Sequence, residues 1–215
     1  MKRMWQAALA AAVALGTAGA QAGMPAPTAK DLTPAVQAFL AEHGDLCLAW
    51  YDWPRDLTAA QLQSGMNEAV QMPVLERLGI VQSVPVPVSV ADTPKEEGPA
   101  RRYALTDKGR QYYLHRKHTV LNVHNRVEEH DADFCVAHLS LDRVVRWSPP
   151  ESVNGQLETQ VHYTYHIKAA AWMADPQARQ VLPVIDRIIR GEGTLLMSAT
   201  ARLRDGKWVP VLPGQ

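Results

Sequence analysis

The sequence predicts an α+β fold: a helical unit with a β-hairpin, packed on a C-terminal antiparallel sheet crossed by one helix. Three observations predict it. Apolar residues recur at helical spacing before residue 115, with Gly44 and Gly79 as stops. From residue 133 the pattern becomes alternation, with Cys135, Ala137, Leu139 and Leu141 on one side and Val136, His138 and Ser140 on the other. Asp205-Gly206 then marks a tight hairpin turn.

The first segment, 1–22, reads as a secretory signal peptide. Lys2 and Arg3 form a basic start, and Ala7 to Leu15 is an apolar run too short to span a bilayer. Ala18-Gly19-Ala20 and Ala20-Gln21-Ala22 both fit a small-x-small cleavage site. No cysteine lies near that site, which argues against a lipoprotein. The whole chain carries 22 basic and 22 acidic residues. Removing Lys2 and Arg3 leaves 20 against 22, a net charge of −2. That balance offers no electrostatic attraction to nucleic acid or anionic lipid.

Residues 23–115 hold the helical unit. Thr33 is the expected cap of a first helix, with Pro34 at its first position and Gly44 at its end. Leu46 to Tyr51 reads as a short buried strand, and Trp53-Pro54 turns the chain away. Thr58 caps a second helix to about Ser64, and a third runs to about Leu78 with Pro73 inside it. Ile80 to Val90 reads as a strand whose Pro85 and Pro87 suit a sheet edge. Asp92 to Pro99 is a polar turn, and Arg101 to Leu105 returns as the paired strand. Thr106 then caps a helix expected to carry Tyr112, Tyr113 and Leu114.

Residues 116–132 form a bridging segment, structured as a strand or a helix extension. Residues 133–215 form the antiparallel part. Phe134 to Trp147 and Gln160 to Lys168 are its first strands, with Ser148 to Gly155 as a loop. In the second strand Val161, Tyr163, Tyr165 and Ile167 face one way, and His162, Thr164, His166 and Lys168 the other. Pro176 starts a helix to Arg190 that is expected to cross the sheet. Gly193 to Arg204 and Lys207 to Leu212 close the sheet as a hairpin.

The runs LERLGIV and RRYALTDKGRQYY, with the helices before them, resemble a winged-helix domain over about residues 31–115. The resemblance implies a shape and carries no function by itself. In DNA-binding members the third helix enters the major groove and basic side chains grip phosphates. Here the matching helix carries Glu68 and Glu76 against Arg77, and the wing tip holds Glu96 and Glu97 against Lys95. Arg101 and Arg102 form the basic pair. With an export signal in front, this argues against nucleic acid and for a scaffold or a protein-contact surface.

Two cysteines, Cys47 and Cys135, are an even count in an exported chain. They read as one disulfide stapling the two parts, with two buried free thiols as the alternative. His124, His130 and Glu128 of the bridging segment are candidate ligands for zinc, copper or nickel. The spacing matches no HExxH or HxH pattern, and a solvated face is the competing reading. His138, His162 and His166 are candidates to line a ligand face on the open side of the sheet, with ordinary exposed histidines as the alternative. Trp53, before its proline, is a further ligand-face candidate. The chain holds no GxSxG, no Ser-x-x-Lys and no glycine-rich phosphate loop, so no residues positively support an enzyme.

The expectation is therefore an exported, non-enzymatic binding or scaffold protein of the bacterial cell envelope, periplasmic or secreted. It would contact an envelope protein or a small ligand, with no cofactor and no transmembrane segment after signal removal. A periplasmic metal-binding protein using histidines of the 115–130 segment is the first alternative. A hydrolase with an unrecognised site is the second.

Overall fold

A computed structural model of the chain describes residues 26–86, 100–121 and 127–211. The signal segment, the wing tip, Pro87 and His124 lie outside the described residues.

The elements follow in chain order. Helix α1 spans Ala29–His43, β1 Asp45–Cys47, β2 Arg55–Thr58, α2 Ala59–Gln63 and α3 Asn67–Arg77. Strands β3 (Val81–Val86) and β4 (Ala100–Leu105), helix α4 (Asp107–Arg110) and β5 (Tyr113–Leu114) come next. Then come β6 (His118–Leu121), β7 (Val127–His130), β8 (Asp133–Trp147), β9 (Glu151–Val153) and β10 (Gln156–Ala169). A 3-10 turn (Ala171–Ala174), α5 (Pro176–Val181), α6 (Pro183–Arg190), β11 (Met197–Arg204) and β12 (Lys207–Pro210) complete the chain.

Helix α1 starts five residues before the position expected from Thr33-Pro34. Thr28 and Asp31 form a reciprocal capping box there, satisfying two orphan donors at once. Thr33 instead sits inside the helix and donates its hydroxyl to the Ala29 carbonyl at 2.8 Å. Pro34 is tolerated inside the first turns, at the cost of one backbone hydrogen bond.

Among the described residues the strands form three sheets. The large one is antiparallel, in the order β1-β8-β10-β11-β12, with β5 on β8 and β9 on β10. A second has the order β2-β4-β3, and β6 pairs with β7. β3 is an edge strand, as its proline spacing predicts. β2 was not expected; it pairs Arg55–Thr58 with the far side of β4.

The sheet is crossed by a different helix from the expected one. Helix α1 lies over β8, β11 and β12. Its Leu32, Ala35, Val36 and Leu40 share a buried core with Leu139, Val161, Tyr163, Tyr165, Ala199 and Ala201. The Pro176–Arg190 segment is broken between Val181 and Pro183, where Leu182 leaves the helical region at φ −123, ψ 58. Proline at 183 explains the break, since it disfavours helical backbone in the residue before it. α5 packs on α3, and α6 meets the sheet where the Tyr165 hydroxyl donates to the Ile188 carbonyl at 2.6 Å.

A second core lies under α3 and α5. It gathers Trp50, Leu57, Met72, Leu75, Ile80 and Tyr103 with Phe134, Val136, Trp172 and Ile185. The two halves named from sequence therefore share this core, and β1 belongs to the large sheet through β8.

The Leu105-to-Gly109 run has a specific job. Thr106 caps α4 and its hydroxyl donates to the Gly79 carbonyl at 2.7 Å, while Lys108 Nζ donates to the Leu78 carbonyl at 2.9 Å. These bonds satisfy carbonyls at the end of α3. Gly109 is required by contact: a Cβ there would lie 2.0 Å from the Ile80 carbonyl oxygen. The helix after Thr106 stops at Arg110, shorter than expected, because Tyr113–Leu114 leave it to pair with Asp133–Phe134. Likewise β1 ends at Cys47, and Ala49 at φ 57 turns the chain before Trp50. Among the described residues no helix is long and apolar enough to cross a membrane.

Candidate functional site

Cys47 and Cys135 are directly paired in the β1–β8 register and form a disulfide. The bond closes a sequence separation of 88 residues. It ties the strand after α1 to the start of β8, within one sheet. The pairing expected from the even count is therefore present, with a cross-strand geometry that composition does not reveal.

A row of charged groups lies beside it. Asp45 on β1 stands opposite His138 on β8, and His138 stands opposite Lys168 on β10. Directly opposed residues carry side chains on the same face of a sheet. Asp45 is 11% exposed, and its two oxygens face an imidazole and a guanidinium. His138 Nδ1 lies 2.7 Å from Oδ1, and Arg116 Nη1 lies 2.6 Å from Oδ2. Gly44 makes this approach possible. A Cβ on Gly44 would sit 2.4 Å from the Leu40 oxygen and 2.5 Å from the Leu139 oxygen. Only glycine lets the end of α1 come this close to β8, which delivers Asp45 to His138.

The row stands next to a cleft of about 440 Å³. Tyr112 and Leu114 wall it on one side, Lys168 to Ala171 on the other, with Cys135 to Ala137 as floor and Asp45 at one end. The even-numbered face of β8 explains its position. Phe134 and Val136 are covered by the aromatic core, whereas His138 and Ser140 are open. The cleft therefore marks where the second core stops covering the sheet.

The candidate histidines are separated by register. His138 faces Lys168, His166 faces Ser140, and His162 faces Arg146. They share one face of the sheet, but the strand rise puts His162 and His166 about 13 Å apart. His166 lies between Asp142 (3.6 Å) and Glu192 (3.4 Å), and Thr164 donates to Asp142 at 2.6 Å.

In the bridging segment, His130 stacks on Tyr51 with ring centroids 3.7 Å apart, and its Nε2 is 3.8 Å from Glu128. Burial raises the Tyr51 hydroxyl pKa, with Asp133 and Glu128 adding to the effect. Among the described residues no group of three or more His, Cys, Asp or Glu side chains is arranged to hold a metal ion. Trp53 packs against Trp50 (5.9 Å) and Phe134 (6.1 Å), so its ring belongs to the aromatic core.

Asp45, Arg116 and Lys168 were missed as site residues. Asp45 and His138 are 93 positions apart, so no local pattern links them. Lys168 was placed on the correct face by alternation, but its row was invisible without the register. No family model, no curated protein and no solved structure matches this chain.

Proposed function

We propose that this chain is an exported, non-enzymatic binding protein of the bacterial cell envelope, periplasmic or secreted, whose ligand meets the cleft beside the disulfide. One observation carries the reading: Cys135 is both half of the disulfide and part of the cleft floor. Disulfides persist in oxidising compartments, and here the bond braces the cleft. The basic start, apolar run and paired cleavage sites of residues 1–22 agree with export.

The winged-helix resemblance is supported by the order β2, α2, α3, β3, β4, with β3 and β4 as a hairpin partner pair. The unit serves as a scaffold. Arg101 lies 3.6 Å from Glu76, Arg102 lies 2.7 Å from Asp56, and Arg77 lies 2.7 Å from Asp175. Cations held by carboxylates are poorly placed to release counterions from phosphates, so a nucleic-acid role is disfavoured.

The test is native mass spectrometry of the protein recovered from the export compartment. The expected species begins near residue 21 or 23, is two hydrogens lighter than the reduced chain, and carries a non-covalent adduct. A reduced chain still holding residues 1–22 and found only in the cytoplasm would sink the reading.

A further inference from the structure

We infer that the cleft between Leu114 and Ala169 is a binding site for a small organic carboxylate, anchored by Lys168. This rests on the binding-protein reading and names its ligand class.

Arg116 and His138 contact one carboxylate, Asp45, and Lys168 stands across the strand pair from His138. Arg116 and His138 take both Asp45 oxygens, at 2.6 and 2.7 Å. Asp45 is thereby neutralised and does not repel an incoming anion. Lys168 stands across from His138, lines the cleft, and has no ion-pair partner within 4.0 Å among the described residues. The cleft thus presents one ammonium whose counter-charge its neighbours do not supply.

Apart from Lys168 and Asp45 the wall carries no charge. Leu114, Ala170 and Ala171 line it with Tyr112, the Gln111 amide adds a neutral polar group, and Asp45 is the one carboxylate. A single unpaired ammonium beside Leu114 and the Ala170-Ala171 turn matches a monovalent anion with a short apolar body. A phosphate ester prefers a guanidinium fork, and the Arg116 guanidinium is engaged by Asp45. A divalent cation is disfavoured by the net positive row. The volume, about 440 Å³, lies within the range of small-molecule sites.

The experiment is an NMR titration of the mature, oxidised chain with sodium butyrate, butyramide and inorganic phosphate as probes. Butyrate should shift the amides of Leu114 and Ala169 to Ala171 saturably, with a Kd of roughly millimolar order for so small a probe. Butyramide and phosphate should not. Lys168→Ala should weaken butyrate roughly tenfold, the loss of one charge-assisted contact, while Lys168→Arg keeps it within a few-fold. Lys168 is exposed, and an unchanged melting temperature will confirm that both variants fold. Equal binding of butyramide, tighter binding of phosphate, or full affinity in Lys168→Ala would each overturn the assignment. A native adduct that persists in Lys168→Ala would overturn the cleft assignment while leaving the binding-protein reading standing.

Discussion

The core between α1 and the large sheet joins two regularly spaced faces, aliphatic on the helix and mixed aliphatic and tyrosine on the strands. Leu32, Val36 and Leu40 on the helix meet Leu139, Val161 and Ala199 on the strands. The core under α3 and α5 is built differently. Trp50, Trp53, Tyr112 and Trp172 surround Phe134, with ring centroids 5.7 to 6.5 Å from it. These rings come from four separate segments. The first core needs only that two periodic faces meet. The second needs a defined path for every loop that brings a ring in. β8 joins them, since Leu139 points into one and Phe134 and Val136 into the other.

The largest effect is expected where the cores are joined. Replacing both Cys47 and Cys135 by alanine should cost about 4–5 kcal/mol, the chain-entropy value for a loop of this length. Urea unfolding should show one transition at a lower midpoint. Two transitions would mean that the bond was coupling otherwise independent cores. Phe134→Ala removes the centre of the aromatic core and should cost about 3–5 kcal/mol. Leu32→Ala, in the other core, should cost about 2–5 kcal/mol. Hydrogen exchange separates the two: it should rise first in α3 and β4 for the former, and in α1 and β12 for the latter. A uniform rise in both would show that the cores open together. Tyr165→Phe deletes the bond to the Ile188 carbonyl and should cost about 1 kcal/mol, read from the urea midpoint.

The smallest effects are in pH, and the cores differ in sign. Arg77 hydrogen-bonds Asp175 at the start of α5 and holds its carboxyl below the ordinary value of 3.8. A depressed acid contributes stability above its unfolded pKa, which is lost as pH falls through the folded one. Asp175→Asn should remove that part of the acid sensitivity from the α3–α5 contact. In the helix-on-sheet core, burial pushes the Tyr163 hydroxyl up to about 12. Its contribution is complete below the unfolded value of 10.0 and is lost as pH rises towards 12. Ultraviolet difference titration of the protein against Tyr163→Phe should assign a late-ionising phenol to this position; a difference centred near 10 would contradict its burial.

Much of the local structure was legible. Thr58 and Thr106 cap the helices that follow them, and Gly79 at φ 69 ends the turn after α3. Asp205-Gly206 makes the β11–β12 turn with both residues at positive φ. The same rule applies to Asn154-Gly155, also at positive φ, which turns β9 onto β10 where a plain loop was expected. Thr28 prevailed over Thr33 because Asp31 completes a capping box with it. The candidate site was legible only in parts. His138 and Lys168 were on the open face by alternation, whereas Asp45 and Arg116 arrive from elsewhere in the chain.

The sequence by itself determined the α+β class, the long strands, the hairpin at Asp205-Gly206, the caps and the even cysteine count. These depend on interactions within a few residues, where spacing and side-chain type are sufficient. Only the tertiary structure decided that α1 covers the large sheet and that β8 serves two cores. It alone decided the strand register, which sets Asp45, His138 and Lys168 in one row and spreads the other histidines along the face. A one-residue slip would move every one of those side chains to the opposite face, and only packing across the whole sheet selects among registers.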